Sequence, residues 1–178
     1  MSRAVPYVDG VLDAAAVAAS VASVEAVQEP DGAIPWEPGR HVDVWNHVEA
    51  AMALVVGGRT DAAARAYDWV LGLQRPDGSW PTAVVEGVVT DDAGDANFSA
   101  YLAVGVWHHW LVERDEAFVR RCWPAVRAGL DWVTSLQLPF GGIPWQECCT
   151  DGAPSHVHED GALLAGSSSI YQALRAGV

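Results

Sequence analysis

The middle of the chain reads Trp69-Val70-Leu71-Gly72-Leu73-Gln74-Arg75-Pro76-Asp77-Gly78-Ser79-Trp80. Its order is the end of a helical stretch, then Gln, a Gly-containing turn and Trp. The same order returns at Gln28-Glu29-Pro30-Asp31-Gly32, followed by Trp36, and at Gln137-Leu138-Pro139-Phe140-Gly141, followed by Trp145. The spacing from Gln to Gly is identical in the three copies, and such internal repetition predicts a repeat architecture.

Each copy joins two kinds of helix. The stretch before the turn is amphipathic, as in residues 60–74, where charged side chains share one stripe and apolar side chains fill the remainder. The stretch after the turn is almost uncharged around its circumference, as in residues 96–107, with counterparts at 44–56 and 163–174. Because such a helix must be buried on all sides, the sequence predicts alternating outer and inner helices. The Val-rich residues 83–89 are the one place where a short pair of strands is expected.

The repeats divide a single predicted domain at about 11–57, 60–113 and 115–176. Within them, Thr60 is placed to cap an outer helix, and Pro124 is placed to begin a new helical segment.

Composition excludes several classes of function. Half of the 178 residues are apolar and 19% are charged, which is typical of a globular chain. The balance of 10 Lys and Arg against 23 Asp and Glu gives a net charge of −13, which repels nucleic acids and anionic membrane surfaces. No apolar run approaches the ~20 residues of a membrane span, and the N-terminal residues do not read as a secretory signal, so a cytoplasmic location is expected.

The middle copy resembles the QW motif of squalene-hopene cyclases and related class II terpene cyclases. The match is aromatic, aliphatic, three residues, Gln, three residues, Gly, one residue, Trp. The third copy keeps Trp132-Val133, Gln137 and Gly141, whereas the first keeps Val24, Gln28 and Gly32. The chain is thus similar to the squalene-cyclase and prenyltransferase-like proteins. The resemblance implies an all-α fold, an α/α toroid, of which three antiparallel hairpins make about half.

The same resemblance implies an activity and an assembly. A terpene cyclase or prenyltransferase-like enzyme acts on a small isoprenoid substrate and uses aromatic side chains to stabilise carbocations. Because the related rings close with about six hairpins, a homodimer or a complementary half-toroid chain is expected to complete this one.

In such a toroid, every connection from an outer to an inner helix emerges on one rim. We therefore expect the catalytic groups among Asp43, Asp91, Asp92 and Asp95. The residues expected to contact the substrate are Trp36, Trp45, Asn46, Glu49, Trp80, Asn97, Tyr101, Trp107 and Trp145.

The acids allow more than one interpretation. Asp43 and Asp95 each precede an inner helix, where an acid is also explained by helix capping. Class II cyclases place a proton-donating DxDD motif at this position, but residues 91–95 are spelled DDxxD, as in class I enzymes that bind a diphosphate through Mg²⁺. Magnesium is therefore a candidate cofactor, and both assignments stay open.

Two other classes of function fit the same rim. Crowded acids and nine Trp residues suit a carbohydrate-active α/α barrel, such as a glycoside hydrolase, because sugar faces stack on indoles and hydrolysis uses paired carboxyl groups. A non-catalytic helical-repeat scaffold that binds a partner along its edge is the third alternative.

The remaining candidates are weaker. Cys148, Cys149, His156 and His158 are ligand-type residues, but adjacent cysteines are not the usual C-x-x-C clip, so a loop with incidental polar residues is the favoured interpretation. His108-His109 is expected at the end of its helix opposite the rim and is excluded. The chain carries no nucleotide-binding or serine-hydrolase motif.

Overall fold

The computed structural model describes residues 6–146 and 161–178, and within them the chain forms six helices and one two-stranded sheet. The helices are α1 (Ala14–Ala26), α2 (Val44–Val56), α3 (Thr60–Leu73), α4 (Ala96–Glu113), α5 (Glu116–Ser135) and α6 (Leu164–Ala176), and the strands are β1 (Pro81–Val85) and β2 (Val88–Gly94). None of these helices is long and apolar enough to cross a membrane.

The helices form the predicted half of an α/α toroid, with three antiparallel hairpins. The inner helices lie side by side, because α4 packs against both α2 and α6. The outer helices cover them: α1 and α3 pack against α2, and α5 packs against α4. The core between the layers contains fully buried large side chains such as Tyr67, Leu54 and Leu102. Burying an apolar side chain of this size stabilises a fold by about 1.5–3 kcal/mol.

The repeated turn joins one repeat to the next. Gln28 Nε2 donates to Gly32 O at 3.1 Å in its own turn and to Ala62 O at 2.9 Å in α3. Gln74 Nε2 repeats this arrangement, with Gly78 O and Ala125 O of α5 both at 2.9 Å. In the first two copies, the Gln side chain therefore ties its turn to the following outer helix.

Both the backbone conformation and the packing require Gly in the turns of the first two copies. Gly32 and Gly78 have φ of 104° and 98°, a left-handed conformation that favours Gly. A Cβ at Gly78 would also lie 2.4 Å from Ala128 O, just as one at Gly32 would lie 2.3 Å from Arg65 O. The turn thus packs its backbone directly against the next outer helix.

The Trp residues of the three copies are not equivalent. Trp80 follows its Gln by six positions and is fully buried, with Nε1 donating to Val70 O at 2.7 Å. Trp36 and Trp145 follow by eight positions and are exposed, because the buried position under the turn is taken by Ile34 and Ile143 in their copies. Trp80 is therefore a core residue, and its assignment to substrate binding stays a prediction that this burial does not support.

A short hairpin lies in the second connection, where the Val-rich residues predicted strands. β1 and β2 pair antiparallel, with irregular register near Ala83. Val84 also exchanges backbone hydrogen bonds with Val42, and Ala96 N donates to Trp145 O at 2.8 Å. The segments that lead into α2 and α4 are thus each held by the next repeat's connection.

Two local expectations are wrong. Pro124 lies inside the continuous helix α5 rather than at a break, and it is tolerated on the exposed face, where water can satisfy the backbone groups left unpaired. Thr60 is the first residue of α3, and Arg59 is its N-cap without a side-chain hydrogen bond.

Candidate functional site

Asp43 lies at the N-cap of α2 and is held by donors on both oxygens. Its Oδ1 accepts from Asn46 N at 2.8 Å, and its Oδ2 accepts from Asn46 Nδ2 at 2.9 Å and from Trp36 Nε1 at 2.6 Å. The side chain is buried, although Trp36 itself is largely exposed. Helix capping accounts for the hydrogen bond from Asn46 N to Oδ1, but it does not account for the hydrogen bond that the Trp36 indole donates to Oδ2.

Asp95 occupies the same position before α4. Its Oδ1 accepts from Phe98 N at 2.8 Å, and only 1% of the residue is exposed. Burial raises the pKa of this carboxyl to about 6, and the charge of Asp43 acts in the same direction. The backbone N–H groups of Phe98 and Asn97 and the side chain of Trp145 favour the charged form, but burial outweighs them.

The third inner helix lacks this acid, since α6 follows Leu163, which makes no side-chain cap. The site therefore contains two buried carboxyl groups on neighbouring inner helices, and the indoles of Trp36 and Trp145 lie beside them.

One turn into the helices, α2 and α4 meet through an aromatic contact. The rings of Trp45 and Tyr101 stack, with centroids 4.8 Å apart, and Trp45 meets Phe98 edge to face. Glu49 accepts from Tyr101 Oη and from Trp45 Nε1. Burial and the Glu49 carboxylate raise the pKa of Tyr101, so its hydroxyl stays a donor.

Asn97 is the second residue of α4 and is 3% exposed. Its Oδ1 is buried without a hydrogen-bond partner among the described residues. A buried acceptor that lacks a donor costs about 1–3 kcal/mol, so this atom needs an explanation.

Three other candidates lie away from this group. Asp91 and Asp92 are exposed on β2, where Asp91 Oδ1 accepts from Ala93 N and Asp92 forms an ion pair with Arg75. The three acids of the DDxxD spelling are thus separated, because the first two belong to a strand and Asp95 is buried at a helix start. Trp107 lies about 15 Å along α4 from Asn97, at the opposite end from the acids.

The described ranges, 6–146 and 161–178, contain no group of three or more His, Cys, Asp or Glu side chains that could hold a metal ion. Cys148, Cys149, His156 and His158 lie outside these ranges. The involvement of magnesium stays a prediction. His108 and His109 lie in the second half of α4, away from the acids, as expected.

Sequence reasoning missed one residue beside the site. Phe98, the third residue of α4, meets the ring of Trp45 edge to face. An aromatic residue one position after Asn97 is the signal that could have found it.

The chain is similar to carbohydrate-active enzymes. No family model matches it. It is 46% identical over 172 residues to a protein of Mycolicibacterium hassiacum named MMP endo-(1,4)-3-O-methyl-alpha-D-mannosidase, a match that covers 97% of this chain and 46% of that protein. The chain thus spans less than half of the relative's length.

Solved structures show the same fold at low identity. An endo-beta-1,4-glucanase from Acetobacter xylinum matches with a TM-score of 0.66 and 14% identity, over 90% of this chain and 52% of that one. An unsaturated glucuronyl hydrolase specific for heparin matches with a TM-score of 0.68 and 15% identity, over 91% of this chain and 48% of that one. At such identities these likenesses establish the fold alone.

These findings correct the expectation of isoprenoid chemistry. The resemblance to squalene-hopene cyclases and prenyltransferases gave the right toroid but the wrong family, because the similar proteins are carbohydrate enzymes. The terpene-cyclase activity and the isoprenoid substrate are therefore wrong, and the carbohydrate-active alternative fits better.

Proposed function

We propose that the chain acts as a glycoside hydrolase on a glycan of O-methylated α-mannose units. The observation that carries this proposal is the 46% identity, across nearly the whole chain, to a protein named as a 3-O-methyl-α-mannosidase. The two buried carboxyl groups support it independently, since hydrolysis of a glycosidic bond uses a pair of them in most such enzymes.

Asp95 is suited to the role of general acid. With a pKa near 6, a substantial fraction of this carboxyl is protonated in weakly acidic solution and can deliver its proton to the glycosidic oxygen as the bond breaks. The leaving sugar then carries a hydroxyl group, and water supplies the hydroxyl of the other product.

Asp43 supplies the second carboxyl group. Its donors, Trp36 and Asn46, hold it in one orientation on the helix next to Asp95. Because both acids are buried, substrate must displace the neighbouring indoles, and a sugar hydroxyl can then donate to Oδ2 of Asp43 in place of the Trp36 N–H. The rings that cover the acids would stack against the sugar.

The test is hydrolysis of a (1,4)-linked oligosaccharide of 3-O-methyl-α-mannose, with products followed by mass spectrometry. We expect the unmodified chain to cleave it, and Asp95→Asn to lower kcat by about 10²–10⁴-fold, since Asn cannot supply a proton. Asn also caps helices well, so Asp95→Asn should remain folded. Asp92→Asn, on the exposed strand, is the matched control and should keep its activity. Equal activity of Asp95→Asn and Asp92→Asn would refute the assigned acid.

A further inference from the structure

Glu49 lies at the contact between α2 and α4, beside the stacked rings of Trp45 and Tyr101. Its Oε1 accepts from Tyr101 Oη and, at 3.4 Å, from Trp45 Nε1. Both bonds end on one oxygen, so Oε2 accepts no hydrogen bond from the residues that the structure describes, and Glu49 is exposed. An exposed carboxylate oxygen, on a group that two donors hold in place, can accept a hydrogen bond from a ligand.

Tyr101 provides a second acceptor next to this oxygen. Its hydroxyl keeps its proton, because burial and the Glu49 carboxylate raise the pKa of Tyr101, and it donates that proton to Glu49. The remaining lone pairs of the phenolic oxygen can only accept. The two side chains therefore offer acceptors to a ligand, whereas the Tyr101 hydroxyl proton is already used.

The two side chains lie at the same distance along their helices from the two acids. Glu49 follows Asp43 by six residues, and Tyr101 follows Asp95 by six residues. Six residues of an α-helix span about 9 Å. Trp45 lies between the acids and this group, two residues after Asp43. An oligosaccharide bound at the acids can therefore extend over the indole to Glu49.

The inner helices α2 and α4 share one register within their repeats. Four residues after each acid, His47 and Ser99 each accept a backbone N–H of the preceding turn, from Ile34 and Trp80 respectively, both at 3.2 Å. The acids, their capping bonds and these turn contacts thus occupy equivalent positions in the two helices.

In this register, the packing of the inner helices does not require Trp45 and Glu49. Their counterparts on α4 are Asn97 and Tyr101, so α4 has neither an indole nor a carboxylate at these positions. Nevertheless α4 packs against α6 as α2 packs against α4. The repeat therefore does not explain why α2 carries a carboxylate here.

We infer that Glu49 and Tyr101 form a subsite that accepts hydrogen bonds from the free hydroxyl groups of one sugar unit, about 9 Å along the inner helices from the acids. This inference rests on the proposed function, and it adds a rule of specificity to it. A methyl ether has no proton to donate to either oxygen. The subsite therefore selects a sugar unit whose hydroxyl groups at this place are unmethylated.

The experiment is calorimetric binding of two oligosaccharides to an Asp95→Asn parent, which should not cleave them. The first is the (1,4)-linked 3-O-methyl-α-mannose oligosaccharide, and the second is the same chain with every remaining hydroxyl O-methylated. We expect Glu49→Ala to weaken the Kd for the first by about 10- to 100-fold, because hydrogen bonds to a charged group are stronger than neutral ones. Tyr101→Phe, which keeps the ring, should weaken it by about 3- to 10-fold. Both variants should bind the second oligosaccharide as weakly as the parent does.

Glu116→Ala is the matched control. Glu116 is an exposed glutamate of the outer helix α5 and forms an ion pair with Arg120. This variant should bind both oligosaccharides as the parent does.

A purely structural link between α2 and α4 would give different results. Glu49→Ala would then weaken the binding of both oligosaccharides by the same factor, or would lower the urea midpoint and leave both Kd values unchanged. Either result would overturn the subsite. Equal affinity of the parent for the two oligosaccharides would also overturn it, because the hydroxyl groups would then make no difference.

Cleavage of the first oligosaccharide by the unmodified chain separates the subsite from the proposed function. If cleavage occurs and Glu49→Ala binds normally, the subsite fails and the proposed function stands. If the Kd values change as expected and no cleavage is detected, the hydrolase activity fails and the subsite stands. If the parent binds neither oligosaccharide, the subsite is overturned.

Discussion

Asp43 and Asp95 occupy equivalent positions but have different surroundings. Asp43 accepts an indole N–H and a side-chain amide in addition to its capping bond, whereas burial dominates at Asp95. The sequence predicted both as helix caps and as candidate catalytic groups, and the structure shows that capping uses Oδ1 of each. Capping and catalysis are therefore compatible at these two residues.

The pKa of Asp95 predicts a dependence of stability on pH. Because the folded pKa, about 6, exceeds the ordinary 3.8, the folded state binds the proton more tightly than the unfolded chain does. This contribution to stability is complete below pH 4 and is lost as the pH rises through 6. At about 1.4 kcal/mol per pKa unit, the loss is about 2–3 kcal/mol.

The measurement is urea unfolding of the unmodified chain and of Asp95→Asn between pH 4 and pH 8. The stability of Asp95→Asn relative to the unmodified chain should rise by that amount across the range. Asp13→Asn, at the exposed N-cap of α1, serves as the control. A pH-independent difference for Asp95→Asn would show that the carboxyl is not destabilised by burial.

At the scale of single residues, the sequence could not distinguish the acids from one another. Asp91 and Asp92 read as parts of the same motif as Asp95, yet a strand exposes the first two and a helix start buries the third. Burial depends on how the connections pack on the inner helices, which no local pattern records. The same limit made Trp80 read as a ligand-binding indole, although it is a core residue.

The repeated turn is the element that most of the fold depends on. The first two copies press a glycine against the following outer helix, whereas an added Cβ at Gly141, in the third, would meet no heavy atom within 4 Å among the described residues. Gly141 also has a positive φ, 94°. All three turn glycines therefore share a left-handed backbone conformation, but only the first two pack closely against an outer helix.

This difference predicts unequal effects of the same substitution. Gly141→Ala should cost about 1–2 kcal/mol, the strain of a left-handed residue with a Cβ. Gly78→Ala adds the clash with Ala128 O, and should cost about 3 kcal/mol or more. The free energies come from urea unfolding of the two variants. Equal losses would contradict a close approach between the second turn and α5.

Elements were predicted well because their signals are local. Uncharged stretches predicted the inner helices, amphipathic stretches predicted the outer helices, and the Gln-to-Gly spacing predicted the turns. The two exceptions, Thr60 and Pro124, both lie on the exposed surface, where water can replace a missing backbone hydrogen bond. There Arg59, not Thr60, is the N-cap of α3, and α5 continues through Pro124.

At the scale of the molecule, the described residues form an arc of three hairpins. The sequence predicted this architecture, but the chemistry that the resemblance implied is wrong. The turn motif encodes how one repeat docks on the next, so it is compatible with toroids that serve different substrates. The substrate depends on the rim, where residues 91–95 share the DDxxD spelling of class I enzymes but lack the DxDD motif of the class II cyclases that the turn motif resembles. The completion of the ring by a second arc stays a prediction.

The pH dependence of kcat/KM on the (1,4)-linked 3-O-methyl-α-mannose oligosaccharide tests the central claim most directly. If protonated Asp95 is the general acid, kcat/KM falls tenfold per pH unit above an apparent pKa of about 6, because the acid form disappears. A profile that stays flat up to pH 8, or a complete lack of cleavage at every pH, would contradict the account.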